Sequence, residues 1–323
     1  MPVPRRPMTK RQSAVVARAR TVRLRRMIAV VLLAAGVGAV WVWAHRAAGS
    51  ADAGVALDPT GFSPGACVAF APTTGDRHTT VFLDAGHGGL DPGAVGTTSS
   101  GATVDEGKVT LPVELDTAAL LRANGFRVVV SRTTDSNVVR LTAPELSGGE
   151  LSLQGAHDDV AARDVCANLS GAAVLLGIYF DSGASPSDGG SVTTYDGARQ
   201  FSAANHRLAT LVQRDVLAAM NGQGWQIPDD GVQPDSVEGS LVPTSSSSPI
   251  ARAAASYGHV LLLGPADPGF FDAPSQMPGA LVEPLFITDP FEGTLAARPA
   301  AQQVIAQGLA RAVEQYLAPS KAG

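Results

Sequence analysis

Residues 81–96 read VFLDAGHGGLDPGAVG. Val81 to Asp84 form the end of an apolar, β-prone run, and the chain then enters a turn bearing glycines 86, 88, 89 and 93 around a single histidine, His87. Glycine reaches positive φ without steric cost, so this turn can fold tightly and expose the imidazole at a strand end. A glycine-rich turn after a strand can also cradle phosphate. Neither G-x-x-x-x-G-K-[ST] nor G-x-G-x-x-G occurs here, which argues against a nucleotide site.

Further apolar runs bounded by Gly, Pro and Asp extend the pattern outward. Besides Thr80–Asp84 they are Phe126–Ser131, Ala172–Phe180, Ser191–Tyr195, His259–Leu263 and Ala280–Glu283. Each has the length of a buried strand. Helical spacing fills the gaps. Val109–Ala123 places apolar residues three and four apart and stops at Asn124-Gly125, which puts Pro112 in its first turn. Ala156–Leu169, Ala198–Met220 and Pro299–Leu317 are the other candidates. Strands alternating with helices predict an α/β fold, a mostly parallel twisted sheet of about six strands with helices on both faces. In such sheets sites lie at the carboxyl ends of strands. Asp84 to His87, Asp181 and Glu283 all fall at such ends. Two polar, Gly- or Pro-rich stretches, Thr133–Gly155 and Asp229–Pro249, read as long loops of the kind that form functional flaps.

The run around His87 closely resembles the opening signature of the zinc-dependent N-acetylmuramoyl-L-alanine amidases, D-P-G-H-G-G-x-D-P-G-A-x-G. Only Ala85 departs from it, where proline is usual. Three further motifs follow in the family's order. Glu106 begins an E-x-x-x-x-L stretch, Ser131 to Asp135 resembles T-R-x-T-D, and Pro278 to Phe286 resembles P-A-x-L-V-E-x-x-F. The resemblance implies that His87 and Glu106 hold Zn2+ and that Glu283 is the catalytic carboxylate. It assigns no role to Arg132 or Asp135, which can simply pair at a turn. The family's third ligand is a histidine at a strand end, and here Tyr179 occupies its place. A neutral phenol with a pKa near 10 is a poor ligand. Asp181, two residues further on the same strand face, is the carboxylate expected to complete the set. His157, His206 and His259 read as core or surface histidines. Zinc with one open position lowers the pKa of its water to about 7 and polarises the scissile amide, and a carboxylate can then take the water's proton.

The N-terminal quarter differs in kind. Residues 1–26 carry nine Lys and Arg and no acid, whereas the remaining chain carries 15 basic and 29 acidic residues. The uncharged run 27–44 follows at once, with Trp41 and Trp43 near its end. Its length suits one transmembrane helix, and the charge asymmetry places the N-terminus in the cytoplasm. A cleaved signal peptide is the alternative, with Ala51-Asp52-Ala53 as a loose cleavage site. The basic tail is therefore assigned to the membrane rather than to nucleic acid. The chain divides into a basic cytoplasmic tail (1–26), an anchor (27–44), a turn-rich linker (45–66), an amidase-like catalytic domain (67–317) and a short tail (318–323). The expected location is the cell membrane, single-pass, with the C-terminal domain outside and peptidoglycan as its partner. Cys67 and Cys166, the two cysteines of the chain, lie in the exported part, where they pair or stay as two buried thiols. Three functions stay open: an active zinc amidase, a degenerate relative that binds peptidoglycan or regulates wall hydrolases, and a purely structural wall domain.

Overall fold

The computed structural model describes residues 54–239 and 249–319. The expected tail and anchor (1–44), residues 45–53 of the linker and residues 240–248 lie outside that range. Among the described residues no helix is long and apolar enough to cross a membrane.

The centre is an eight-stranded sheet. In chain order its strands are β1 (Val55–Ala56), β2 (Ala66–Phe70), β3 (Thr80–Ala85), β4 (Arg127–Arg132), β5 (Val174–Ile178), β6 (Ser191–Tyr195), β7 (Asp229–Pro234) and β8 (Gly279–Glu283). They lie side by side as β1-β2-β4-β3-β5-β8-β6-β7. The inner four, β4, β3, β5 and β8, are mutually parallel. The β1–β2, β2–β4 and β8–β6 pairings are antiparallel, and β7 is parallel to β6. The sheet therefore contains two parallel sets that point in opposite directions.

The longer helices are α1 (Glu106–Ala123), α2 (Leu153–Ser170), α3 (Ser202–Asn221), α4 (Pro249–Tyr257), α5 (Pro290–Ala296) and α6 (Pro299–Leu317), and a five-residue helix, Asp235–Gly239, follows β7. One face of the sheet is covered by α1, α3 and α6, through Val113, Leu121, Val212, Val216, Ile305 and Leu309 against Leu83, Val130, Leu176 and Val282. The other carries α2 and the turn at Leu262-Leu263 against Phe82, Val129 and Leu175. Alternate strand residues feed the two cores, as the two-residue period of a strand requires.

The α/β class and two-sided cover agree with the sequence, with two more strands than expected. Val55–Ala56 and Ala66–Phe70, which were not among the expected strands, extend the sheet beyond β4. Asp229–Pro234 forms an edge strand where a loop was expected. The run His259–Leu263 is not a strand; its leucines turn under the sheet and join the second core. Helix α1 starts three residues before the expected Val109, because the loop after β3 supplies acceptors for its first amides: Glu106 N donates to Ala94 O at 3.0 Å and Gly107 N to Pro92 O at 3.0 Å. Pro112 consequently falls in the second turn. Cys67 on β2 and Cys166 on α2 form a disulfide with a Cα–Cα distance of 5.6 Å.

Candidate active site

His87, Asp91 and Glu106 meet at the carboxyl end of the inner strands, and two buried arginines fix the backbone around them. Arg132 closes β4 and is fully buried. Its guanidinium donates to the carbonyls of Ala85 (3.2 Å), Gly86 (3.2 Å) and Gly107 (2.6 Å) and to Thr110 Oγ1 (2.9 Å). It thus joins the turn after β3 to the first turn of α1. Arg163 of α2 approaches from the other face. It pairs with Asp84 at 2.7 Å and Asp159 at 2.9 Å, and donates to Ala85 O at 2.6 Å and His87 O at 2.8 Å. The residues after Arg132 fasten the outer edge of the turn: Gly89 N donates to Asp135 and Leu90 N to Asn137. Arg132 and Asp135, which the sequence left without a role, are both part of this frame.

Within it His87 adopts left-handed backbone, φ 56°. That is uncommon for a residue with a side chain. Its Nδ1 faces Asp91 Oδ2 at 2.8 Å and its Nε2 faces Glu106 Oε2 at 3.2 Å. Glu106, the first residue of α1, is almost fully buried. A carboxylate there also meets the positive end of the helix dipole. Oε2 accepts from Ala94 N at 2.9 Å and Oε1 from Phe180 N at 3.0 Å. Gly93 is essential to this closeness, since a Cβ on it would lie 2.6 Å from both Glu106 Oε2 and the His87 ring. Burial alone would lower the pKa of His87, but the hydrogen bonds to Asp91 and Glu106 outweigh it and raise the pKa to about 10. The ligand-free imidazole is therefore an imidazolium, and a cation at Nε2 must displace that proton.

The pair suits a shared metal. Two donors about 2.0–2.1 Å from one tetrahedral zinc stand roughly 3.3 Å apart, close to the 3.2 Å observed. Asp91 on the other ring nitrogen is the kind of outer partner that fixes a ligand histidine. The strand-end tyrosine does not extend this pair. Tyr179 sets its ring 5.4 Å from that of His87, and its hydroxyl donates to Asp84 Oδ2 at 3.1 Å. Burial, then the neighbouring Asp84 charge, push its pKa well above the usual value, so the phenol keeps its proton.

Asp181 is held at the strand end by the backbone bonds Asp181 N to Leu285 O (3.0 Å) and Ile287 N to Asp181 O (2.9 Å). Its Oδ1 accepts from Ser182 N at 2.6 Å. The structure does not gather it with His87 and Glu106: among the described residues, no third His, Cys, Asp or Glu donor comes within 4.8 Å of both. Its own carboxylate is drawn back to the adjacent amide instead. Glu283 ends β8, next to Tyr179, whose amide donates to Val282 O at 2.9 Å. It thus shares the pole with His87, one strand beyond Tyr179. Asp84, Asp91, Arg132 and Arg163 escaped the sequence reading as site residues. For Asp91 a signal existed, its fixed place in the quoted run; for Arg163 there was none.

The family model described as N-acetylmuramoyl-L-alanine amidase matches residues 81–315. N-acetylmuramoyl-L-alanine amidase AmiA of Salmonella typhimurium is 27% identical over 251 residues, covering 73% of this chain and 75% of that protein. Among solved structures, the CwlD amidase of Clostridioides difficile, determined in complex with the GerS lipoprotein, gives a TM-score of 0.51 at 19% identity over 74% of this chain and 98% of its own. The amidase AmiC2 of Nostoc punctiforme gives 0.50 at 22% identity over 75% and 99%. At these identities the two structures establish the shared fold.

Proposed function

Because the chain belongs to the N-acetylmuramoyl-L-alanine amidase family, we propose that it hydrolyses peptidoglycan at the amide joining N-acetylmuramic acid to the L-alanine of the stem peptide. One observation carries the reading: His87 Nε2 and Glu106 Oε2 stand 3.2 Å apart at the strand pole where Glu283 also ends. His87 and Glu106 would hold zinc, which when bound supplies an activated water and polarises the scissile carbonyl. Asp91 keeps the His87 ring oriented through Nδ1. Arg163 and Arg132 fix the backbone on either side of it and so hold His87 in place. Glu283 takes the proton of the attacking water and returns it to the departing amine as the C–N bond breaks. Asp181 is the carboxylate proposed to complete the zinc set, which requires its side chain to leave Ser182 N.

The run 27–44 is proposed to anchor the chain in the cell membrane, with the amidase domain outside. The uncharged run and the nine positive charges before it support this. Alkaline carbonate washing of membranes tests it: the chain should stay in the pellet, and a soluble protein beginning near residue 54 would defeat it.

Tyr179 favours a second reading, a relative that binds peptidoglycan without cutting. Incubating the purified full chain with sacculi and zinc separates the two. Release of free stem peptides, seen by mass spectrometry and lost in Glu283→Gln, supports hydrolysis. Sedimentation of the protein with sacculi and no peptide release supports binding alone.

A further inference from the structure

The second parallel set, β6 and β7, has its own carboxyl end, at the opposite pole of the sheet. Ser191 to Tyr195 run in parallel register with Asp229 to Pro234, and Tyr195 is paired with Pro234. The next residue of each strand is an aspartate, Asp196 and Asp235. Both are buried, at 0% and 1% exposure. His259, from the turn after α4, closes the group: its Nδ1 lies 3.0 Å from Asp235 Oδ2. One donor atom from each of Asp196, Asp235 and His259 falls within 4.8 Å of the others. We propose that these three residues bind a divalent transition-metal ion, zinc in the first instance, at a site separate from the candidate active site.

The separation follows from register. Thr194 pairs with Leu281, Gly279 with Leu175, and Leu175 with Phe82. Asp196 therefore lies near the level of Phe82, about five residues or roughly 16 Å along the strands from His87, and three strands across. A single ion cannot serve both groups.

The second group is more than a patch of acids. Asp235 Oδ1 is buried and has no hydrogen-bond partner, although its side chain is 1% exposed. Such a group is costly unless something fills its acceptor site. Asp196 is already oriented: Oδ1 accepts from Ala198 N at 2.9 Å, and Oδ2 from Arg199 N at 3.0 Å and Nε at 2.9 Å. Oδ1 keeps an unused lone pair for an ion. Arg199 is itself anchored by donating to Ser275 O at 2.6 Å. The charge also points to a cation. Arg199 pairs with Asp196, and burial raises the pKa of Asp235 against the pull of His259, so its ionised form is the one a bound cation would stabilise. The neighbouring carboxyl, Asp164, is fully buried, and burial pushes its pKa well above the usual carboxylate range.

Two carboxylates with one imidazole suit zinc or manganese better than calcium, which takes oxygen ligands. Arg199 and Ser275 also border an open cleft of about 530 Å³.

The test uses the full chain carrying His87→Ala, so that the other pole contributes no imidazole. The protein is stripped with chelator, dialysed against zinc and then against zinc-free buffer, and its metal is counted by elemental analysis. About one zinc per chain is expected. It should fall below a tenth of that when Asp235→Asn or His259→Gln is added, with circular dichroism unchanged. Retention of no zinc by the His87→Ala chain would overturn the proposal, as would retention undiminished in both double variants. His259→Gln keeps the question answerable if Asp235→Asn prevents folding, since His259 is the more exposed of the two side chains. The outcome does not depend on whether peptidoglycan is cleaved.

Discussion

The two poles of the sheet are built from the same parts and bound together differently. At the His87 pole the buried arginines spend most of their donors on backbone carbonyls: Arg132 on Ala85, Gly86 and Gly107, Arg163 on Ala85 and His87. The side chains facing the cleft are thus left to His87, Asp91 and Glu106. At the Asp196 pole Arg199 bonds directly to a carboxylate of the cluster. The first arrangement fixes backbone and leaves donors available for chemistry. The second neutralises a donor and leaves a site better suited to holding than to reacting.

The largest expected effect breaks this symmetry outright. Glu106→Gln removes an anionic donor from the first pole and should cut amide hydrolysis about a thousandfold or more, roughly 4 kcal/mol of transition-state stabilisation. Asp235→Asn at the other pole should leave kcat/KM within about threefold, a change of less than ~1 kcal/mol. Comparable losses at both poles would mean that they are not independent. Removing the metal with chelator should abolish activity in the wild-type chain as completely as Glu106→Gln does.

A second test compares the arginines by urea unfolding. Arg163→Met strands Asp84, whose other carboxylate bond comes from the Tyr179 hydroxyl; the expected loss is about 3–5 kcal/mol. Arg199→Met should cost less, because Asp196 keeps the amides of Ala198 and Arg199. Equal losses would show that backbone donors do not compensate at the second pole.

A third concerns the floor of the first pole. Glu114 is fully buried and accepts from Ala85 N, Ser131 N and Ser131 Oγ through a single oxygen. Burial raises its pKa to about 8. A carboxyl with a raised folded pKa binds its proton more tightly in the native state. Its stabilisation is complete below the unfolded value and fades as pH rises toward 8. Unfolding free energy should therefore fall by something on the order of 4 kcal/mol between about pH 4.5 and 8. Glu114→Gln should flatten that slope; an unchanged slope would assign it to another group. The smallest effect belongs to Ala85→Pro, which restores the residue usual in the family signature. It deletes the N–H that reaches Glu114 and Ser131 and should cost about 1 kcal/mol.

What the sequence revealed, and what it hid, also differs between the poles. His87, Glu106 and Glu283 were legible because each stands in a motif whose spacing is local. Ser191–Tyr195 and Pro299–Leu317 appear with the limits their apolar patterns set. Asp229–Pro234 has no apolar run, and only pairing with β6 makes it a strand, so the aspartate after it carried no signal. His259–Leu263 has the composition of a strand, but periodicity over five residues cannot separate a strand from a buried turn. His259 consequently read as a core or surface histidine. Arg163 was invisible for a related reason: nothing on a helix announces a partner 79 residues away. Asp181 was read from the strand period alone, and the bond its Oδ1 accepts from Ser182 N is one that no periodicity announces.

The disulfide has one more consequence, for chain connectivity. Cys67 and Cys166 close a covalent ring whose ends are 99 residues apart. His87, Glu106 and both turns that hold them lie inside it, whereas Tyr179, Asp181 and Glu283 lie outside. The exposed Gly148-Gly149 tip of the small hairpin at 146–151 also lies inside. A protease cutting there opens the ring without dividing the molecule. Both halves of the cleft remain on one covalent body, and the nick shows itself as two fragments only after reduction.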